Sequence, residues 1–155
     1  MRNSASASRT DDAAIRMLGA ITADVSDTEI MDYTTGLYFE GNSQAPSRTS
    51  ALLTNIRVRN SSSSSRTEAK GIVLKNLSSA SIDKCIVYPQ LSSERTENAN
   101  GAGIIADAVA NLDVLQSNIW GYENGLRLLN GSHADFTRSV IWKNSSLELV
   151  EPHSP

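Results

Sequence analysis

The sequence predicts an all-β fold in which short parallel strands coil into a solenoid of about five to six rungs, with about 22 residues per rung. Three observations carry this expectation. The first is a recurring element: a small residue, then apolar positions alternating with polar or variable ones. It reads Ala14-Ile15-Arg16-Met17, Gly36-Leu37-Tyr38-Phe39, Gly71-Ile72-Val73-Leu74, Gly103-Ile104-Ile105-Ala106, Gly125-Leu126-Arg127-Leu128 and Ser146-Leu147-Glu148-Leu149. Successive starts lie 22, 35, 32, 22 and 21 residues apart, a basic unit near 22 with insertions in two copies. The second observation is another repeat, held at a fixed phase behind the first. Its copies are Val25…Thr28…Ile30, Leu53…Ile56…Val58, Ile82…Cys85…Val87, Val114…Ser117…Ile119 and Phe136…Ser139…Ile141. The third is a core that must be built with few large residues, since only 5% of the 155 residues are aromatic and 39% are hydrophobic.

Short alternating apolar runs with Gly, Asn and Ser between them, and no helical period, read as strands of three to five residues. Such strands are too short to stand alone, but stacked at about 4.8 Å they pair in parallel and each inward side chain rests on its equivalent. The expected inward columns of the first sheet are Leu37/Ile72/Ile104/Leu126/Leu147 and Phe39/Leu74/Ala106/Leu128/Leu149. Val25/Leu53/Ile82/Val114/Phe136 and Ile30/Val58/Val87/Ile119/Ile141 line the others. Residues 1–13 are expected to be a flexible or capping segment, 14–150 the coil and 151–155 a tail. Within the first of these junctions, Thr10 to Ala20 suits a capping turn of helix, with Asp11 and Asp12 at its start, or an incomplete first rung. The insertions at Asn60–Lys70 and Gln90–Asn100 are expected to be loops. Pro152 and Pro155 cannot continue a ladder, because proline lacks the donor. So short a coil is expected to be capped by a partner or to belong to a longer one.

Charge and composition exclude several classes of function. With 14 Lys and Arg against 17 Asp and Glu, the net charge is −3, without the basic field of a nucleic-acid binder. No apolar run nears the roughly 20 residues that span a bilayer as a helix. Met1 to Ala14 is polar and lacks the apolar centre of a secretory signal. Cys85 is the single cysteine, so no intramolecular disulfide forms; it falls among the small inward residues and is expected to be buried and inert.

A blade repeat of a propeller would be about twice as long, and a leucine-rich repeat has a different fixed pattern. Stretches such as GIVLKNLSSASIDKCIVYP and GLRLLNGSHADFTRSVIWKNS resemble the right-handed parallel β-helix, or pectin-lyase-like, superfamily, over roughly Ala14 to Val150. The resemblance implies a right-handed coil. That fold hosts polysaccharide lyases, hydrolases, epimerases, phage tailspikes and adhesins, so function must be argued from the site. It implies a chain that binds or processes a polysaccharide along its outer wall, extracellular or virion-associated, and often homotrimeric. A trimer would also shield Val73 and Ile105, expected to be exposed outside the first sheet. In lyases of this fold a basic residue abstracts the proton beside a uronate carboxylate, which points to Lys75 or Arg127. The alternative is a non-enzymatic structural or adhesive spacer, or a fragment of a longer β-helix protein.

Outward columns supply the candidate site residues. Met31, Arg59, Tyr88, Trp120 and Trp142 follow the third strand's inward aliphatic, so Tyr88, Trp120 and Trp142 stack on the outer face, with Tyr122 expected on the same side. Aromatic faces at rung spacing suit sugar rings, and an exposed apolar strip marks a contact site; the bland reading is packing under a loop or against a subunit. Asp113 and Asp135 occupy equivalent places in adjacent rungs, with Asp24 farther down the column. Their spacing of about 5 Å is near that of a retaining glycosidase pair, where proximity raises one pKa, and they are the candidate catalytic residues. The same two carboxylates offer oxygen ligands to a cation such as Ca²⁺, though a pair of solvated turn aspartates explains them equally simply. Otherwise no metal-ligand spacing and no cofactor motif is present. Glu40, Lys75 and Asp107 form a charged ladder on the first sheet, with Glu40 and Asp107 about 9.6 Å apart, at the long edge of an inverting pair. His133 beside Asp135 keeps a proton-transfer role open.

Overall fold

The computed structural model describes residues 13–19, 22–44, 49–60, 68–90, 99–142 and 146–149. Among them every regular element is a strand. The strands are β1 (Ala13–Leu18), β2 (Thr22–Tyr33), β3 (Thr35–Glu40), β4 (Ser50–Asn60), β5 (Ala69–Asp83), β6 (Ile86–Pro89), β7 (Ala99–Leu115), β8 (Asn118–Trp120), β9 (Tyr122–Leu129), β10 (Ala134–Thr137), β11 (Val140–Trp142) and β12 (Ser146–Leu149). All recorded pairings are parallel, and the sheet is open. This is the arrangement of a β-solenoid, in which each stretch of chain pairs with the stretch one repeat later. Three faces result. The first runs β1, β3, the start of β5, the start of β7, β9 and β12. The second runs from the start of β2 through the start of β4, the ends of β5 and β7, to β10. The third runs from the end of β2 through the end of β4 to β6, β8 and β11.

Register follows the expected columns. Leu37, Ile72, Ile104 and Leu126 lie side by side, as do Phe39, Leu74, Ala106 and Leu128. Val25, Leu53, Ile82, Val114 and Phe136 share a second column, and Ile30, Val58, Val87, Ile119 and Ile141 a third. Most of these side chains are fully buried in one continuous core. Phe136 keeps its place in the column yet is 40% exposed, because β10 pairs on one side only, with β7. The glycines that open the repeats have a steric cause. A Cβ on Gly36, Gly71 or Gly103 would fall 2.3–2.4 Å from a methyl of Val58, Val87 or Ile119, so the first face meets the third at backbone distance.

The corners carry a signal that the apolar pattern did not. Between the second and third faces stand Asp27, Asn55, Lys84, Gln116 and Arg138, all left-handed, with φ of 47–54°. Asn76, Ala108 and Asn130 do the same between the first and second faces, with φ of 52–54°. Each such residue turns the chain sharply enough for the alternation to restart on the next face, at a conformational cost of about 1–2 kcal/mol for residues other than glycine.

Beside the first of these corners, hydroxyls close the ladder. Ser117 Oγ accepts from the Cys85 N–H (2.9 Å) and donates to the Leu115 carbonyl (2.7 Å). Ser139 Oγ repeats the pattern one repeat later, accepting from the Ser117 N–H and donating to the Thr137 carbonyl (3.2 Å). Cys85 occupies the equivalent place and is buried, which pushes its thiol up to about 11.

Near the N-terminus, β1 pairs in parallel with β3, so Ala13–Leu18 is the first-face strand of the first repeat and not a capping helix. Residues 10–12 and 20 lie outside the described residues, as do most of the two expected loops and the 151–155 tail. Of those loops, Asn60, Lys70, Ala99 and Asn100 belong to strands. Among the described residues no helix is long and apolar enough to cross a membrane.

Candidate functional site

Alternation along the first face turns one residue of each strand outward into a single column. Arg16, Tyr38, Val73, Ile105 and Arg127 are neighbours in register, from β1 through β3, β5 and β7 to β9. Two further columns flank it: Leu18, Glu40, Lys75, Asp107 and Leu129 on one side, Ala13, Thr35, Lys70, Ala102 and Asn124 on the other. Between them runs a groove of about 370 Å³, a size ordinary for a ligand cleft. Its floor is Val73 and Ile105, which are 2% and 6% exposed and pack with Ala102, Tyr38 and Leu129. The sequence expectation had these two aliphatics open to solvent. They are instead covered within the single chain, which removes the shielding argument for a trimer.

The walls are charged. Arg16, Lys70, Lys75 and Arg127 line the groove, against Glu68 and Asp107. Of these acids Asp107 is engaged within the site. Lys75 Nζ lies 3.3 Å from Asp107 Oδ2, and Asn130 Nδ2 donates to Asp107 Oδ1. Tyr38 donates its hydroxyl to Glu40 Oε2 at 2.7 Å, with the Arg16 guanidinium 4.9 Å above its ring. Burial, together with that bond to a carboxylate, pushes the Tyr38 phenol up to about 12, so it remains a hydrogen-bond donor at all physiological pH values. Among the described residues Lys70 has no ion-pair partner. With four cations against two acids in its lining, the groove offers a positive field on a chain whose net charge is −3.

Lys75, Asp107 and Arg127 are candidates from the sequence, and alternation puts Tyr38 outside as well, whereas Arg16 and Lys70 are not singled out there. For Arg16 the signal was present: Arg16, Tyr38 and Arg127 hold the same place in the first repeat. It was obscured because that column changes from charged to apolar along its length.

The aromatic column is real but differently disposed. Tyr88 and Trp120 stack with centroids 4.7 Å apart and planes 3° from parallel, and Trp120 and Trp142 follow at 5.8 Å and 28°. The ring faces are thus turned toward one another along the coil. Tyr122 does not join them. Gly121, with a φ of 80°, breaks the alternation after Trp120 and sends Tyr122 into the interior, where it is fully buried. Its hydroxyl donates to Asn60 Oδ1, and burial pushes the phenol well above its usual range. Asn60, also fully buried, directs Nδ2 at the carbonyl oxygens of Tyr33, Thr34 and Lys70, at 2.9–3.0 Å. Tyr122 is therefore an internal strut and not a surface residue.

Asp113 and Asp135 are direct neighbours in register, as expected, with Asp24 farther along the same column. Both are exposed on the second face, away from the groove. His133 Nε2 lies 3.4 Å from Asp135 Oδ1. Among the described residues no group of three or more His, Cys, Asp and Glu side chains is placed to hold a metal ion. No family model, no curated protein and no solved structure matches this chain.

Proposed function

We propose that the chain is a right-handed parallel β-helix that binds an anionic polysaccharide in the groove on its first face. The succession of six strands on that face, and of five on each of the others, supports five complete rungs with the first strand of a sixth. The observation that carries the functional reading is the groove itself: it is elongated along the coil, with a buried apolar floor and four cations against two acids in its lining. A linear glycan lies along such a track, its C–H faces on Tyr38 and Leu129, which pack over the buried Val73 and Ile105, and its acid groups toward Arg16, Lys70 and Arg127. A polysaccharide ligand fits an extracellular or virion-surface setting. In this reading Asp113 and Asp135 take no part in binding. The aromatic column supports the third face and remains the site for the competing reading, in which the sugar chain crosses Trp120 and Trp142, or the chain is a spacer without a ligand.

The test is retention on immobilised acidic and neutral polysaccharides of equal length. Retention on the acidic matrix alone, released by salt as exposed charges are screened, is expected. Equal retention on both would overturn the proposal. Incubation with a soluble polyuronate, followed by unsaturated-product absorbance and by reducing ends, separates binding from lyase or hydrolase chemistry.

A further inference from the structure

Charge along the groove is ordered strand by strand. β1 contributes Arg16, a cation. β3 contributes Glu40, which lies outside the lining but neighbours Lys75 in register and accepts from Tyr38, which does line the groove. The start of β5 contributes Lys70 and Lys75, with Glu68 just before it, for a net positive charge. The start of β7 contributes Asp107, and β9 contributes Arg127. Glu123, at the beginning of β9, does not line the groove. The succession is therefore positive, negative, positive, negative, positive. Like charges recur every two strands, about 9.6 Å, and the outermost arginines stand about 19 Å apart.

From this order we infer that the groove selects an acidic polysaccharide that carries its negative charge on every second sugar, a uronate alternating with an uncharged sugar. The inference rests on the anionic-glycan reading of the groove. An extended glycan advances by close to one strand spacing per sugar, so a chain lying along the axis sets one sugar opposite each strand. Uronates opposite β1, β5 and β9 meet Arg16, Lys70 and Arg127. The sugars between them pass Glu40, behind the Tyr38 hydroxyl, and Asp107, beside Lys75 and Asn130, and both carboxylates repel a third. Selectivity then comes from repulsion at the acidic strands as much as from attraction at the cationic ones. A homopolyuronate places a charge at every strand and meets both.

Titration of the intact protein with three soluble polymers of matched length tests this: an alternating uronate–N-acetylhexosamine copolymer, a homopolyuronate and a neutral glucan. The alternating polymer is expected to bind at least about tenfold tighter than the homopolyuronate, with no binding of the glucan. Equal or tighter binding of the homopolyuronate overturns the inference and leaves the anionic reading standing. Binding of the glucan as tight as that of the acidic polymers, or binding of neither acidic polymer, overturns the anionic reading itself. Glu40→Gln keeps an acceptor for Tyr38 but removes the negative charge at β3, so it is expected to narrow the preference several-fold by strengthening homopolyuronate binding. An unchanged ratio in that variant counts against repulsion as the selecting force.

Discussion

Asn60 and Tyr122 join parts of the chain that no strand pairing connects. Tyr122 opens β9 and Asn60 closes β4, 62 positions apart in the chain with β5, β6, β7 and β8 between them. A buried phenol without a partner is costly, and so is a buried amide oxygen; each here satisfies the other. Tyr122→Phe keeps the ring and the packing but leaves Asn60 Oδ1 without its donor. It is expected to lower stability by about 1–3 kcal/mol, seen as a lower urea midpoint at unchanged slope. A shift below about 0.5 kcal/mol would mean the bond contributes little net stability. Sequence alone misplaced this residue because alternation was carried across Gly121, whose positive φ resets it. The glycine was the available cue, since a left-handed turn inverts which side the next residue faces.

At the scale of the strand, the repeat's opening glycine is the most constrained position. A Cβ on Gly71 would lie 2.3 Å from both the Gly103 carbonyl oxygen and a Val87 methyl, and backbone cannot yield as a flexible side chain does. Gly71→Ala is expected to cost about 1–3 kcal/mol or more through overpacking, read as a lower thermal midpoint. A neutral substitution would show that the first and third faces are not held at this separation. The inward columns of the middle strands are legible in the sequence, because period-two alternation and a fixed repeat phase together favour the register that buries their aliphatics; Leu147 and Leu149 have side chains outside the described ones. The left-handed corners were less so. Asn55, Asn76 and Asn130 advertise that conformation, whereas Lys84, Ala108, Gln116 and Arg138 adopt it only because the stacked neighbours require it.

For the whole molecule, titration offers a global check on the core. Cys85 is raised from about 9 to about 11 and Tyr38 from about 10 to about 12, and burial holds Tyr122 well above its usual range. Each folded-state pKa lies above its unfolded value, so the native state holds more protons than the unfolded chain at high pH. Their contribution is complete below pH 9 and falls as pH rises through the 9–12 window. Denaturant midpoints are expected to be level between pH 7 and 8.5 as far as these groups are concerned, then to decline. Cys85→Ala is expected to make the early part of that decline shallower. A stability that rises through this window would contradict the buried placement of these groups.

The fold was legible at this scale because a solenoid repeats its sequence signal at every turn. The groove was legible only in part, because binding residues on such a fold need not repeat: Arg16 and Arg127 share a column with Val73 and Ile105. The central claim is that the outer groove, and not the aromatic column, receives the ligand. Titration of one acidic polysaccharide against two double variants, Arg16→Ser with Lys70→Ser and Trp120→Ala with Trp142→Ala, decides between them. The groove variant is expected to lose at least about tenfold in affinity, equivalent to about 1.4 kcal/mol, while the aromatic variant keeps its affinity and loses only stability. Retained affinity in the groove variant, with affinity abolished in a still-folded aromatic variant, would contradict the account.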